Sequence, residues 1–256
     1  MEATLYVILG SHACRTGMLL LEHKGIPYRT VTLPTGLHPT AVRVLGFGRE
    51  ASTRHFDGGT NPLLASADRL GTVPALRIDG QKVQSNRAIA RFLDELQPDP
   101  PLFPAEPEQR AEVEDAEAWG DDELQMAARR LALAAACAGS RAGVDGAGSG
   151  RLGPILWRNA TLRRAGMRMI SRVFDADDPE VEQRLVAELP PMLDRIDAWI
   201  EAGVLNGEKL NAADLMIAPS LALLSYRPDT RADIERRPAL RLVDRLLPDP
   251  GVQQAA

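Results

Sequence analysis

A serine and a cysteine stand three residues apart where a predicted strand gives way to a predicted helix. The stretch is "GSHACRTG", residues 10–17, and it follows the apolar run "TLYVIL", residues 4–9. A hydroxyl at a helix N-terminus can cap free backbone N–H groups, and it can also donate a hydrogen bond to a bound thiolate. A cysteine one turn further on is either a small buried hydrophobe or a thiol whose pKa the helix dipole lowers. Ser11 and Cys14 are therefore the first candidates for chemistry, and each also has a purely structural interpretation.

The composition excludes several classes of function. The chain has 256 residues, of which 45% are hydrophobic and 25% charged, as expected for a globular protein of one large or two small domains. Its net charge of −5 disfavours nucleic acid as a partner, because phosphate binding needs a basic face. The four histidines and two cysteines show no metal-ligand spacing, so we expect no metal. The apolar runs are too short for a membrane span and no basic leader precedes the first, so we expect a cytoplasmic protein without a membrane partner.

The N-terminal part alternates between strand and helix patterns. The apolar run at 4–9 predicts a buried strand, helical spacing predicts a helix over 11–24, and "YRTVTL" at 28–33 predicts a second strand. A right-handed crossover makes these two strands parallel. Residues 34–70 are irregular and rich in proline, glycine and histidine, which indicates a lid or an insertion with a short helix inside it.

A second pair of strands follows. "VPALRID" and "KVQS" meet at Asp79-Gly80, a dipeptide that is typical of a tight hairpin turn. Ser85 is placed to cap the next helix, "NRAIARFLDEL". The apolar residues expected on one face of that helix are Ile89, Phe92, Leu93 and Leu96.

The second half of the chain has helical patterns only. The proline-rich stretch "QPDPPLFPAEP" at 97–107 predicts a linker between a domain at 1–96 and a domain at 108–256. A long helical segment then bends at Gly120, and a Gly- and Ser-rich loop follows at 138–153. Further helices are predicted at 154–175, 178–202, 211–226 and 230–246.

Three segments share the pattern of a known family. "SHACRTGMLLLEHKGIPY" is similar to the segment S-P-F-x-R-x-x-x-x-L-x-x-K-G-I-P-Y of the soluble glutathione S-transferases, and "GTVPAL…DGQKVQSNRAIARFL" is similar to their VP-x-L…DG…(E/Q)S-x-A-I-x-x-Y-L. "LNAADLMIAPSLALL" is similar to the capping box of their helical domain. The order and spacing of the segments match over nearly the whole chain. The chain thus resembles a serine-type or related bacterial member of this family, which implies an α/β thioredoxin-like N-terminal domain and an all-α C-terminal domain.

The resemblance implies a site for glutathione, or for another low-molecular-weight thiol, in the N-terminal domain. The Val73-Pro74 bond would be cis and would present the Val73 backbone to a peptide-like ligand; the alternative is an ordinary proline before a strand. Gln84 and Ser85 would hold the γ-glutamyl end, with Ser85 on its carboxylate. Ser85 can also be a simple N-cap, and both roles are compatible if its backbone N–H serves the ligand. The segment from Asn211 onwards is a capping box that we assign to folding.

The resemblance also sharpens the question about the first motif. A serine at the position of Ser11 stabilises the thiolate of glutathione in serine-type members, whereas cysteine-type members have there a cysteine that forms mixed disulfides. Cys14 corresponds to the second cysteine of a C-x-x-C pair. The sequence departs from the family where His12-Ala13 replaces Pro-Phe and where Gly17 lies inside the helix. Ser11 is either catalytic or a helix cap, and Cys14 is either a buried apolar side chain or a redox-active thiol.

Together these features predict an enzyme like the detoxifying glutathione S-transferases, acting as a homodimer. A thiolate would attack a small apolar electrophile that the helical domain holds over the sulfur. The candidate substrate-binding residues are Trp119, Met126 and Arg130, and the core is the alternative place for the first two. Two other functions stay open: a binding or regulatory protein of the same fold without turnover, and a thiol–disulfide reductase that uses Cys14.

Overall fold

The N-terminal half is built on one mixed sheet. A computed structural model describes residues 2–47, 72–138, 151–152, 171–172, 174 and 176–248. Its strands are β1 (Ala3–Val7), β2 (Tyr28–Thr32), β3 (Ala75–Ile78) and β4 (Gln81–Gln84), in the spatial order β2-β1-β3-β4. β1 and β2 are parallel, as the crossover predicts, and the two other pairs are antiparallel. With the helices of the second half, this sheet confirms the thioredoxin-like plus all-α architecture.

Helices surround the sheet and form all the regular structure described after it. The N-terminal half contains α1 (His12–His23), α2 (His38–Val44) and α3 (Asn86–Leu96). The second half contains α4 (Pro107–Trp119), α5 (Gln125–Ala138), α6 (Pro179–Glu201), α7 (Ala212–Leu224), α8 (Pro228–Ile234) and α9 (Ala239–Leu246). None of these helices is both long and apolar enough to cross a membrane. Most of the predicted helix at 154–175, of the predicted loop at 138–153 and of the predicted lid at 34–70 lies outside the described residues; α2 is the short helix expected in that lid.

Local signals placed most elements correctly, with two exceptions. Asp79 and Gly80 have φ angles of 45° and 87°, which is the left-handed conformation that a two-residue hairpin requires. The prediction of Leu96 on the buried face is wrong, because it is 43% exposed at the last position of α3, where the chain turns away. The single helix predicted at 230–246 is also wrong: α8 ends at Ile234 and α9 begins after Pro238, whose ring cannot continue a helix.

The long helical segment after the linker is interrupted at Gly120, the residue at which the sequence predicts a bend. Gly120–Leu124 form a turn of π-helix between α4 and α5. A Cβ at Gly120 would lie 2.9 Å from the Cγ1 of Ile217 and 3.2 Å from the Cγ of Met216. Glycine is therefore required here because α7 passes directly against the backbone.

α7 is the central helix of the second half. All of its residues are buried, and α1, α4, α5 and α9 pack against it. Its N-terminus is closed by the predicted capping box: the Asn211 side chain accepts from the amide of Asp214 at 3.2 Å, and the Asp214 carboxylate accepts from the amide of Asn211 at 3.0 Å. A buried helix end without such partners would lose several backbone hydrogen bonds. The assignment of this motif to folding is consistent with these contacts.

A buried lysine fixes the chain between the two halves. The Nζ of Lys24 donates to the Oδ1 of Asp94 at 2.7 Å and to the carbonyls of Gln97 and Pro100 at 2.8 and 2.6 Å. The same Asp94 oxygen accepts from the amide of Leu102 at 2.7 Å. All three ammonium protons thus have partners, as a buried charge requires. The proline-rich stretch contains no helix or strand up to α4, yet it is anchored at several points; its role as a domain boundary stays a prediction.

Replacing Lys24 by methionine should destabilise the protein strongly. Lys24→Met keeps the apolar stem but leaves the half-buried Asp94 carboxylate without its cation. Loss of one partner costs about 3–5 kcal/mol in fully buried pairs, so we expect a loss near the lower end of that range. The free energy of unfolding, measured in denaturant, reports this loss. Lys209→Met, at an exposed position, is the matched control and should change stability by less than about 0.5 kcal/mol. Equal stabilities for the two variants would show that the buried contacts are not needed.

Candidate functional site

Three segments that the sequence singled out meet at one place. A Cβ on Gly17 would lie 3.1 Å from the Cβ of Pro74, so α1 rests directly on the turn before β3. The side-chain Nδ2 of Asn86 donates to the carbonyl of Ala13 at 3.0 Å, and the amide of Ser85 donates to the carbonyl of Pro74 at 3.3 Å. The start of α1, the Pro74 turn and the start of α3 are therefore held together. Gly17, which costs helix propensity, is explained by this close approach.

The Val73-Pro74 peptide bond is cis, as the resemblance implies. Val73 is buried, and the pairing of β3 with β1 and with β4 begins at Ala75. The backbone of Val73 thus lies just beyond the ladder, where an extended ligand could pair with it. A second cis bond, Asp99-Pro100, lies in the proline-rich stretch and has no counterpart in the sequence analysis.

Gln84 offers an acceptor without a partner. Its side chain is 5% exposed, and its Nε2 donates to the carbonyl of Thr72 at 2.5 Å. Its Oε1 is buried, and no described residue gives it a hydrogen bond. A buried acceptor in this state costs about 1–3 kcal/mol unless a donor reaches it. An ammonium group of a ligand bound beside the Pro74 turn would be such a donor.

Ser85 caps α3, and its amide is engaged elsewhere. Its Oγ accepts from the amide of Ala88 at 3.3 Å, which confirms the cap. Its own amide donates to Pro74, so the expectation that the Ser85 backbone N–H is available to a ligand is wrong. The reason is that this bond continues the antiparallel pairing of β3 with β4 by one position beyond Ala75 and Gln84. A carboxylate at this helix N-terminus would instead meet the Ser85 O–H and the first amides of the helix.

Ser11 caps the N-terminus of α1, as Ser85 caps that of α3. It is half-buried, with extended backbone, and its Oγ accepts from the amide of Cys14 at 3.2 Å. A hydroxyl that accepts one hydrogen bond still has its own proton to donate. The cap is therefore present. The same hydroxyl also makes a hydrogen bond with the Cys14 thiol, so a bound sulfur would have to take the Ser11 proton in place of Cys14.

Cys14 is a buried thiol with a raised pKa. Its side chain is 1% exposed. Burial raises the pKa of this thiol to about 11. This effect is larger than the lowering caused by hydrogen bonds from Ser11 and Ile8 and by the charge of Arg129. The expectation that the helix dipole lowers this pKa is wrong, because desolvation dominates at a fully buried site. The arrangement favours Cys14 as a small apolar side chain of the core.

His12 connects the site to the helical half. The residue is buried, and its Nε2 lies 3.1 Å from the carbonyl of Gln125, the first residue of α5 after the π-helical turn. The sequence signal for this contact was the histidine at the position where the family has proline. Its partner, 113 positions away, could be found only from the tertiary structure.

The three predicted substrate-binding residues lie in different surroundings. Trp119 is buried, and its ring packs edge-on against Trp199 at 5.3 Å, which is a core arrangement. The Nε of Arg130 donates to the carbonyl of Phe174 at 2.9 Å. Met126 is half-buried and follows the residue that contacts His12. Of the three, Met126 is the one whose neighbour in sequence touches the start of α1.

Two residues near the site escaped the sequence analysis. His38 begins α2, and burial together with the charge of Arg129 lowers its pKa to about 4, so it is neutral at pH 7. Its Nδ1 is buried without a partner among the described residues. Arg129, on α5, influences both His38 and Cys14. Neither residue belongs to a motif that the sequence alone distinguishes.

Cys14 should resist alkylation in the folded protein. A pKa of about 11 leaves roughly a thousandth of the thiol as thiolate at pH 8, and burial blocks the reagent in addition. In a Cys137→Ser background, we expect iodoacetamide to label Cys14 at least about a hundredfold more slowly than it labels free glutathione. Labelling should become fast after unfolding in denaturant. A native thiol that reacts as fast as free glutathione would restore the redox interpretation.

Comparisons with known proteins agree with this architecture. Residues 5–101 match the model of the glutathione S-transferase N-terminal domain. A comparison with curated protein sequences gave no match.

Solved structures extend the similarity to both halves. A glutathione S-transferase-I bound with lactoylglutathione is 16% identical, with a TM-score of 0.63 over 100% of this chain and 99% of that one. The β-etherase LigF from Sphingobium sp. strain SYK-6 is 19% identical, with a TM-score of 0.61 over 99% and 98%. A glutathione S-transferase from Rhodospirillum rubrum F11 is 22% identical, with a TM-score of 0.55 over 94% and 91%. At these identities the structures establish the fold. Residues 5–101 therefore match the N-terminal domain of the glutathione S-transferases, and the chain has the fold of these similar structures in both its N-terminal and its helical half.

Proposed function

We propose that this protein binds glutathione at the junction of α1, the Pro74 turn and α3, and activates it as a thiolate for attack on a small apolar electrophile. The observation that supports this most directly is the buried Oε1 of Gln84, which lacks a hydrogen bond from any described residue. The γ-glutamyl ammonium of glutathione is a donor of the right charge for that oxygen. The matched family domain and the lactoylglutathione ligand of one similar structure support the same choice of ligand.

Each part of the tripeptide has a partner of suitable chemistry. The extended backbone around its cysteine would pair with the backbone of Val73, beyond the end of the ladder. Its γ-glutamyl carboxylate would lie at the N-terminus of α3, against the Ser85 hydroxyl and the helix dipole. These contacts hold the peptide, so the sulfur would lie toward the start of α1 and Ser11.

Ser11 would stabilise the reactive form of the thiol. The Ser11 O–H donates to the sulfur while its oxygen keeps the cap to the amide of Cys14. Because a hydrogen bond to the charged form lowers a pKa, a larger fraction of the thiol is thiolate at neutral pH. The thiol proton leaves to solvent, the sulfur forms a bond to the electrophilic carbon, and the leaving group departs with its electron pair. Of the predicted substrate-binding residues, Met126 is the one that we place in contact with the apolar electrophile.

We propose a cytoplasmic homodimer with a detoxifying role.

A binding or regulatory protein without turnover is the second candidate. The observation that favours it is His12, which replaces the family's proline and is engaged by the helical half through Gln125. Retention on immobilised glutathione together with turnover of a generic aryl halide distinguishes the two. The reductase alternative is disfavoured by the burial of Cys14 and its raised pKa.

Gln84 should determine affinity for glutathione. Gln84→Leu removes the acceptor for the ammonium, so the dissociation constant measured by calorimetry should rise about tenfold or more. Gln84→Glu keeps an oxygen at the same place and should retain binding. Gln81→Leu, at an exposed position of the same strand, is the matched control. Equal affinities for Gln84→Leu and Gln81→Leu would exclude the proposed contact.

Ser11 should determine reactivity rather than affinity. Loss of a charge-assisted hydrogen bond costs about 1.5–3 kcal/mol, so Ser11→Ala should lower turnover roughly ten- to a hundredfold and raise the pKa of bound glutathione. The affinity for glutathione should change little, because other residues hold the peptide.

A control separates this effect from the loss of a helix cap. Asp178 caps α6 through a hydrogen bond from the amide of Glu180 at 2.9 Å, so Asp178→Ala should cost about 1 kcal/mol of stability and leave the pH–rate profile unchanged. If Ser11→Ala behaves in the same way as Asp178→Ala, Ser11 is a cap only.

A further inference from the structure

A basic residue of the helical half lies one turn beyond the contact between α5 and the start of α1. The contact of His12 with the carbonyl of Gln125, at 3.1 Å, sets the first turn of α5 against the first turn of α1. Arg129 is one turn further along α5, and its guanidinium donates back to the Oε1 of Gln125 at 3.2 Å. Helical side chains lean toward the N-terminus of their helix, as this one does. Its charge therefore lies over the turn of α5 that meets His12.

The charge acts on groups that belong to the other half of the protein. The Arg129 charge opposes the rise that burial causes in the pKa of Cys14 on α1, and it adds to the fall that burial causes in the pKa of His38 on α2. The amide of Cys14 is itself the hydrogen-bond partner of the Ser11 oxygen, at 3.2 Å. A negative charge at the Ser11 position thus lies one helical turn from a group that Arg129 already affects.

The surroundings of Arg129 favour a strong electrostatic effect. The ring of Phe174 covers one side of the guanidinium at 5.0 Å, and apolar cover reduces screening by water. The adjoining π-helical turn carries three carboxylates. Asp121 is buried and accepts from the Nε2 of Gln125 at 3.1 Å, Asp122 pairs with Arg87, and Glu123 accepts from the indole of Trp119. His38 is neutral at pH 7 and adds no charge. Arg129 is therefore a cation on the part of α5 that meets α1 through His12 and Gln125.

We propose that Arg129 is a second stabiliser of the thiolate, which supplies positive charge from the helical half to a sulfur held beside the Ser11 hydroxyl. The inference rests on the proposed function for its use in catalysis. The effect of the Arg129 charge on a thiolate at the Ser11 position does not depend on which thiol binds there. Two halves of the protein would then share the activation of one sulfur, the N-terminal half through a hydrogen bond and the helical half through charge.

The test places a thiol at the site without any ligand. In a Ser11→Cys, Cys137→Ser protein, the rate of iodoacetamide alkylation of the introduced thiol is measured against pH, with the labelled peptide identified by mass spectrometry. Removing the charge with Arg129→Met should raise the pKa of that thiol by about half a unit or more. Arg129→Lys keeps a cation and should restore much of the original value. Arg241→Met, at an exposed remote position, makes the same change in net charge and should leave the pKa unchanged.

The outcomes separate this inference from the proposed function. An unchanged pKa in Arg129→Met, or an equal rise in Arg129→Lys, overturns the role of the Arg129 charge. Arg129→Gln provides a second neutral variant if the methionine variant does not fold, and the same rise is expected. Calorimetry with glutathione on the unmodified protein is a separate measurement. Absence of binding there would remove the proposed function, whereas the dependence of the introduced thiol on Arg129 would still stand.

Discussion

The site depends on the close packing of α1 against the turn that contains the cis bond. A Cβ on Gly17 would lie 3.1 Å from the proline ring, which is tighter than an ordinary contact, so even alanine at this position needs α1 or the Pro74 turn to shift. A larger residue at position 17 would push α1 outwards and carry Ser11 away from Val73. The hydrogen bond from Asn86 to the carbonyl of Ala13 fixes the same helix to the start of α3. One packing contact thus sets the distances among all the groups that we assign to glutathione.

Two serines combine structural and chemical roles in the same way. Ser11 and Ser85 each begin a helix, and each accepts one backbone hydrogen bond through its hydroxyl oxygen. The hydroxyl proton of Ser85 remains for a ligand, whereas that of Ser11 is shared with the Cys14 thiol, which a ligand sulfur would have to replace. The capping and ligand-binding interpretations are therefore not alternatives, because they use different atoms of one group. The N-termini of α1 and α3, where the helix dipole favours an anion, therefore both lie at the edge of the site.

The seam between the two halves is unusually polar for a buried interface. Arg91 on α3 donates to both carboxylate oxygens of Glu117 on α4, at 3.1 and 2.8 Å. Burial raises the pKa of Glu117 to about 7 in spite of that partner. With His12 against Gln125 and the buried ammonium of Lys24, these contacts demand specific geometry, since a buried charge without its partner is costly. The helical half is thereby held in one position relative to the N-terminal site.

The sequence by itself determined the elements whose causes are local. The Asp79-Gly80 turn, the serine caps, the capping box of α7 and the parallel first strands all follow from residue type and spacing over a few positions. Together with the family resemblance, this was enough for the architecture and for the residues around the Pro74 turn. Local reasoning failed at Leu96 and in the last predicted helix, where the end of α3 and Pro238 override the periodic pattern.

The tertiary structure alone decided the features that depend on distant neighbours. Burial sets the pKa of Cys14, so its position at a helix N-terminus gave the wrong direction. The partner of the Ser85 amide, the need for Gly17 and the contact of His12 with α5 each join segments far apart in the chain. Arg129 has no distinguishing sequence pattern, and its importance comes from the place to which α5 brings its charge. Electrostatics and packing depend on distance through space, which a linear sequence does not contain.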